Sequence, residues 1–319
     1  MAGDTDPDLV REDEDGDGDG GDGDRGAGPE DLEEAAVVFT RVRPRLFGIA
    51  YRMLSSVTEA EDLVQDVWLR WQNYDRAKVT NPAAFLSTTT TRLAINELRS
   101  ARVRRETYIG PWLPEPVDTG ADPYLGAERG SALELAVLIL MERLSPNERA
   151  AYVLREAFDY PYPQIADILR ASEAAVRQMV SRARKRVAGE RRTPVTAAEQ
   201  RHLLTTFVTA ARSGDLAALE RLFAADVTSY SDGNGALGVA RRPVVGVSRV
   251  AEFFARAADR FWVGVEVRWV HTNGQPSALL RRDGTALAVL TVDASTEGIE
   301  QLLWVFNPAK IAAVSVPAD

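Results

Sequence analysis

Helical periodicity occupies the chain up to about residue 190 and then stops, and this break limits the fold more than any other feature. Leu46, Ile49, Ala50, Met53 and Leu54 recur at spacings of three and four, an apolar stripe along one helix face. Thr58 with Glu61 reads as a capping box opening a helix that carries Leu63, Val64, Val67, Trp68 and Trp71. Asn81 before Pro82 reads as an N-cap with proline at the first helical position, starting a helix through Leu98. Its run Thr88–Thr91 opposes helix propensity unless the hydroxyls find a use. Residues 108–130 then form a linker around Trp112-Leu113-Pro114-Glu115-Pro116, with two large apolar side chains that suit docking better than spacing. Helices resume over Ala132–Leu144. Ser145-Pro146-Asn147-Glu148 is a strong helix start, followed by a short helix Pro163–Leu169, an Arg170-Ala171 connection and a helix capped by Ser172.

Past Thr193-Pro194 the pattern changes. Thr196 with Glu199 caps a helix over 198–211, and a second lies near Leu216–Phe223. Segments 226–231, 261–271, 277–282, 285–292 and 299–306 are β-prone, with a helix near 248–258 and hairpin turns at Asn273-Gly274 and Asp283-Gly284. The expected architecture is multidomain: two all-α units, then an α+β unit with a mostly antiparallel sheet. The boundaries expected are an acidic disordered tail 1–34, a first helical domain 35–107, the linker 108–130, a second helical domain 131–192 and the α+β domain 193–319.

Charge follows these boundaries. The whole chain has 47 acidic and 38 basic side chains, net -9, which argues against a nucleic-acid partner. Residues 1–34 hold fifteen acids and two arginines, so the remaining 285 residues carry a net +4. That excess lies at 35–105 (twelve basic, six acidic) and 131–192 (eleven basic, eight acidic), the two regions suited to phosphate. The tail either competes with DNA for these faces or aids solubility. Cysteine is absent, which excludes disulfides, thiolate zinc and a cysteine nucleophile, and His202 and His271 are too few for a histidine metal site. No cofactor is expected. No apolar run approaches the roughly 18 residues of a membrane span, and no basic-then-apolar leader precedes the chain, so a cytoplasmic location is expected.

Segment 163–186 has helix-turn-helix spacing. With Val176, Val180, Ala183 and Val187 inward, Arg177, Gln178, Ser181, Arg182, Arg184 and Lys185 ring the outer faces. Arginine and glutamine can address purine edges, while serine, lysine and the remaining arginines suit phosphates. A three-helix bundle with a basic exposed face is the alternative.

Residues 46–74 (LFGIAYRMLSSVTEAEDLVQDVWLRWQNY) and 141–187 (MERLSPNERAAYVLREAFDYPYPQIADILRASEAAVRQMVSRARKRV) resemble the two conserved domains of extracytoplasmic-function sigma factors, in family order. Residues 193–319 resemble the SnoaL-like, NTF2-like cone fused behind one subgroup, which pairs a WLPEP linker with DGGGK-type and NPDK-type motifs. Here Trp112–Pro116 is intact, Asp232-Gly233-Asn234-Gly235-Ala236 has lost one glycine and the lysine, and Asn307-Pro308-Ala309-Lys310 keeps the last. The resemblance implies a partner, core RNA polymerase, met at its β′ clamp and β flap, and promoter DNA as the other. Glu61, Asp62, Leu63, Val64, Gln65 and Asp66 match the clamp-binding helix, although Leu63 and Val64 also read as core. Asn81, Phe85, Arg92, Asn96 and Arg99 match the region that holds the opened -10 element, a role suited to aromatic rings and backbone-tracking arginines, with Phe85 also readable as buried. Arg102, Arg104 and Arg105 read as a phosphate patch. The helix at 172–186 matches the -35 reader.

Trp112, Leu113, Pro114, Asp232, Gly233, Asn234, Gly235, Asn307, Pro308 and Lys310 are implied to make regulatory contacts between domains, so that no separate anti-sigma protein is required. The competing reading tethers an enzymatic or ligand-sensing domain to a polymerase-independent DNA binder. For acid–base chemistry its candidates are Asp226, Tyr230, Asp232 and His271. Promoter selection rather than enzymatic catalysis is the function expected.

Overall fold

The structure is a computed structural model that describes residues 29–120, 133–189, 193, 195–236 and 238–314, without the side chains of residues 29–31, 102, 103 and 189. The expected disorder of residues 1–28, and linker residues 121–130, lie outside the described residues. The first helical unit contains α1 (Pro29–Leu54), α2 (Val57–Gln72) and α3 (Pro82–Glu106). Helix therefore begins six residues before the expected boundary at 35. Asn81 caps α3 as expected, accepting from the Ala84 N–H at 3.1 Å. The threonine run is tolerated because Thr89, Thr90 and Thr91 each donate a hydroxyl to the carbonyl four residues back, at 2.8–2.9 Å.

The second unit contains α4 (Leu135–Met141), α5 (Pro146–Glu156), α6 (Tyr162–Leu169) and α7 (Glu173–Gly189). Ser145 and Glu148 form the expected reciprocal cap of α5. The apolar faces of both helical units merge into one core. Leu46, Ile49, Met53, Leu98, Leu138, Leu144, Leu154 and Ile165 belong to the same buried cluster.

The third unit begins with α8 (Ala197–Ser213), closed by the expected Thr196–Glu199 box, and α9 (Leu216–Leu222). Then come β1 (Phe223–Asp232), β2 (Val244–Val245), α10 (Val247–Phe261), β3 (Glu266–Thr272), β4 (Gln275–Arg282), β5 (Thr285–Ser295), β6 (Gly298–Val305) and α11 (Pro308–Ile311). Sheet order is β2-β1-β6-β5-β4-β3, antiparallel except where β1 runs parallel to β6.

This sheet corrects the expected SnoaL-like, NTF2-like cone. It is open: β2 and β3 are its two edges and do not pair, and the two-residue β2 is too short to join a closing seam. The sheet packs on both faces instead. One face, with Ala278, Leu280, Leu290, Leu302 and Trp304, packs under α8, α9 and α10 through Phe207, Leu219 and Phe254. The other, with Val270, Leu279, Val289, Leu303 and Val305, is covered by Leu113 of the linker, Leu135 and Ile139 of α4, and Ile311 and Val314. The second helical unit and the linker thus complete the core of the third.

Gly298, at the β5–β6 turn, has φ +119°, and a Cβ there would lie 2.6 Å from the Leu222 carbonyl oxygen. Gly298→Ala is expected to destabilise the chain by about 2–4 kcal/mol. The urea midpoint of the full-length protein reads this directly; an unchanged midpoint would show that the turn relaxes without strain.

Candidate functional site

The helix-turn-helix forms as the spacing requires. Arg170 takes a left-handed conformation (φ 52°) that ends α6, and the Ser172 hydroxyl accepts from the Ala175 N–H at 3.2 Å to start α7. Val176, Val180, Ala183 and Val187 are buried, and Arg177, Gln178, Ser181, Arg182, Arg184 and Lys185 are all exposed on the outer faces. Several of these cations already have carboxylate partners. Arg177 pairs with Glu173 and lies 4.2 Å from the Tyr162 ring centre; Arg182 and Arg184 reach Glu148 and Glu156 at 2.9 and 2.7 Å. The Arg177–Glu173 pair is exposed on both sides and worth about 0–1 kcal/mol, whereas Glu148 is buried and also holds Arg186 at 3.3 Å.

The α2 residues separate by burial. Leu63 and Val64 are core, whereas Asp62, Gln65 and Asp66 are exposed and Glu61 is half-buried against Arg43 at 2.5 Å. On α3, Phe85 is half-buried beside Tyr74 and Trp71, and Asn81, Asn96 and Arg99 are exposed. Arg92 is half-buried and donates to the carbonyls of Ile168 and Asp167 at 2.9 and 3.0 Å, capping the C-terminus of α6. Two arginines of the expected phosphate patch have carboxylate partners, Arg104 exposed and Arg105 mostly buried. Arg104 bonds Glu59 and Glu97, and Arg105 bonds Glu142 and the Leu54 carbonyl; the Arg102 side chain lies outside the described residues.

The seam between the helical units centres on Arg149, which is fully buried. It donates to the Arg52 carbonyl at 2.9 Å, to the Ser55 hydroxyl and to Glu142. Burial alone would raise the Glu142 pKa, but the guanidiniums of Arg149 and Arg105 outweigh it and hold the carboxyl below its ordinary value of 4.5. Phe158 adds ring contacts to Arg45 and Arg52.

Linker residues 108–120 run between α1–α2 and the sheet. Glu115 caps α2: its carboxylate accepts from Val57 N–H (2.6 Å), Thr58 N–H (3.2 Å) and the Ser56 hydroxyl (3.0 Å). The helix consequently starts two residues before the expected Thr58 box, with Ser56 as N-cap, because a distant carboxylate satisfies its first amides. Asp232, at 0% exposure, accepts from the Leu113 N–H (2.8 Å), the Lys310 ammonium (2.7 Å) and the Tyr108 hydroxyl. Lys310 also donates to the Leu113 carbonyl at 2.5 Å, and Asn307 to the Tyr108 hydroxyl at 3.1 Å. Burial pushes the Lys310 pKa down against the pull of Asp232, and burial with Asp232 beside it raises that of Tyr108. Lys310 and Arg105 both lie over the Trp112 ring, at 4.3 and 3.8 Å from its centre. Pro114 is buried, and Ile109 packs on Gly235 in the 233–236 turn, where Asn234 and Gly235 have positive φ.

Two residues of this clamp, Asn273 and Tyr51, and Arg149 of the helical seam carry no sign of these contacts in the sequence. Asn273, in a buried hairpin turn, donates to the Tyr51 hydroxyl (2.6 Å) and the Leu133 carbonyl (3.0 Å) and exchanges bonds with Val117. Tyr51 in turn donates to the Glu115 carbonyl at 2.6 Å. Arg149 reads locally as one more polar helix residue. Only Glu115 had a signal, its place within the WLPEP motif. The acid–base candidates do not converge: Asp226 and His271 are exposed on different strands, and Asp232 is held by Lys310.

Comparison with known proteins gives matches over the same segments. The Sigma-70 region 2 family model matches residues 38–104, and the Sigma-70 region 4 model matches residues 135–187. The ECF RNA polymerase sigma factor SigJ of Mycobacterium tuberculosis is 38% identical over 232 residues, 71% of this chain and 74% of that protein. The probable ECF RNA polymerase sigma factor SigI of the same organism is 31% identical over 282 residues, 84% and 92% of the two chains. The crystal structure of M. tuberculosis SigJ superposes with a TM-score of 0.70 at 30% identity, covering 89% of this chain and 99% of that one. Residues 1–192 are about 60% of the chain (192 of 319), so the match extends well into the α+β unit.

Glu142→Gln leaves the buried Arg149 guanidinium without its carboxylate and Arg105 with only the more distant Glu59 at 3.9 Å, and is expected to cost on the order of 3 kcal/mol at pH 7. Because the folded carboxyl has the lower pKa, its stabilisation is present above pH 4.5 and is lost as pH falls through the folded value. Urea unfolding of wild type and variant should therefore converge on acidification below that point. A gap independent of pH would show that the ionised carboxylate contributes nothing.

Proposed function

The chain belongs to the extracytoplasmic-function family of RNA polymerase sigma factors, and from that membership we propose how its parts divide the work. It directs core RNA polymerase to promoters and initiates transcription; it is not an enzyme. The exposed face of α7, with Arg177, Gln178, Ser181, Arg182, Arg184 and Lys185, reads the -35 element in the major groove. Asn81, Phe85, Asn96 and Arg99, joined by Arg92 once it leaves α6, hold the opened -10 strand. Glu61, Asp62, Gln65 and Asp66 on α2 meet the polymerase clamp, while Leu63 and Val64 shape that helix from within.

The observation that carries the regulatory part is the bond from Arg92 to α6. The two promoter elements are 25 positions apart, roughly 85 Å along B-form DNA at 3.4 Å per base pair. A -10 residue hydrogen-bonded to the helix-turn-helix cannot reach one element while α7 reads the other. The arrangement described here is therefore a closed state, and initiation requires the two helical units to part. The C-terminal α+β domain holds it closed in cis: its sheet completes its core with Leu113, Leu135 and Ile139, and Asp232, Lys310 and Asn273 bind the linker. These contacts do the work that an anti-sigma protein would otherwise do, so no separate one is required.

Lys310→Met removes the ammonium from the clamp and is expected to raise core-polymerase affinity and promoter-specific run-off transcription severalfold. Reduced or unchanged values would remove the clamp from regulation, and polymerase-independent operator binding without run-off would overturn the sigma assignment. Arg177→Ala is expected to lose about 1–3 kcal/mol of -35 discrimination in competition binding. Equal loss on scrambled DNA would make Arg177 a phosphate contact.

A further inference from the structure

A cleft of about 520 Å³ opens beside the linker, where the linker, α4 and the C-terminal domain meet. Pro111 and Trp112 come from the linker, Ile139 from α4, and Tyr230, Arg241 and Pro243 from the C-terminal domain. Its volume falls within the usual range for small-molecule sites, about 300–1,000 Å³.

The chemistry of the lining is specific. Two proline rings, two aromatic side chains and Ile139 offer flat, apolar surfaces. Among the described residues, the Arg241 guanidinium, the Tyr230 hydroxyl and the Trp112 indole N–H have no protein hydrogen-bond partner, and Arg241 has no carboxylate. Arg241 is exposed and Tyr230 and Trp112 are half-buried, so these donors are hydrated and free to exchange water for an acceptor on a ligand. Arg105 and Lys310 lie over Trp112, but each already faces a carboxylate, Glu142 and Asp232, so the unmatched charge at the cleft is that of Arg241. A single anionic head matches the one unpaired guanidinium and a flat apolar body matches the proline and aromatic surfaces; a polyanion would outnumber that guanidinium, and a neutral hydrocarbon would leave it unmatched.

We propose that this cleft binds a planar aromatic carboxylate, its carboxylate on Arg241 and its ring system against Trp112, Tyr230 and the two prolines. Because the walls come from the linker, α4 and the C-terminal domain, the site is complete only in the closed chain. On the reading that the closed chain is inactive, the ligand is a co-repressor that lowers polymerase affinity by binding one of two states.

The test uses full-length protein and 2-naphthoate, with the neutral 2-naphthalenemethanol as control, in isothermal titration calorimetry. Naphthoate should bind saturably, one per chain. The alcohol should bind about tenfold more weakly or worse, and Arg241→Gln should weaken naphthoate by a similar factor. Arg241 is exposed and unpaired, so this variant should melt with the wild type, which separates loss of the site from loss of the fold. Tyr230→Phe should lower affinity by a smaller factor. Absence of saturable binding up to millimolar naphthoate, equal binding of acid and alcohol, or an unaffected Arg241→Gln would each overturn the site. Saturating naphthoate should also lower core-polymerase affinity. Binding with no such effect would overturn the co-repressor role while leaving the site intact, and failure of run-off transcription would bear on the sigma assignment alone.

Discussion

The Asp232–Lys310 ion pair is taken almost wholly out of water, at 0% and 6% side-chain exposure. A pair so placed loses several kcal/mol of hydration per ion and persists only where further hydrogen bonds satisfy its remaining lone pairs and protons. Those bonds come from the linker: the Leu113 N–H and the Tyr108 hydroxyl on Asp232, and the Leu113 carbonyl on Lys310. The C-terminal domain and the linker are thus conditions for each other. Withdrawing the linker would strand two buried charges; withdrawing the domain would expose Leu113, Leu135 and Ile139. The same segment continues to Glu115, which caps α2, so the C-terminal domain is tied through one extended strand of chain to the helix proposed to meet polymerase.

A second polar knot, Arg149 with Glu142, Ser55 and the Arg52 carbonyl, locks the two helical units together. Neither knot contains the residues proposed to face DNA, apart from the neighbouring contact of Arg92 with α6. On the proposed function regulation and recognition are separable: the outer face of α7 is exposed in the closed chain, and what closure would deny is its distance from α3. Opening would exchange buried polar bonds for contacts with polymerase and phosphate. That is the kind of bistable packing on which a ligand or partner can act.

Much of this was legible in the sequence, and the failures have physical causes. Caps such as Asn81-Pro82 and Ser145-Pro146-Asn147-Glu148 are local chemistry and appear where expected. The cap of α2 was placed at Thr58 rather than Ser56 because its decisive acceptor, Glu115, lies 58 residues away. Asn273-Gly274 was readable as a hairpin turn, but nothing nearby indicates that the turn is buried against Tyr51 and Leu133. Closure of a sheet is likewise a matter of which edges meet, not of alternation within strands. The expected cone gave way to an open sheet whose second face is covered by the linker and α4. Arg105 reads as a phosphate contact by composition, yet it is withdrawn from solvent onto Glu142, while Arg104 stays exposed and pairs with Glu59 and Glu97.

The central claim is that the helical units packed together here must separate on a promoter. The absence of cysteine makes the measurement direct, since Ser100→Cys on α3 and Ala188→Cys on α7, both exposed, can carry a donor–acceptor dye pair in the full chain. Energy transfer should be efficient in the free protein and fall sharply in the complex with core polymerase and promoter DNA, as the two helices move toward the roughly 85 Å separation of the elements they read. Transfer that stays as efficient on the promoter as in the free chain would contradict the account.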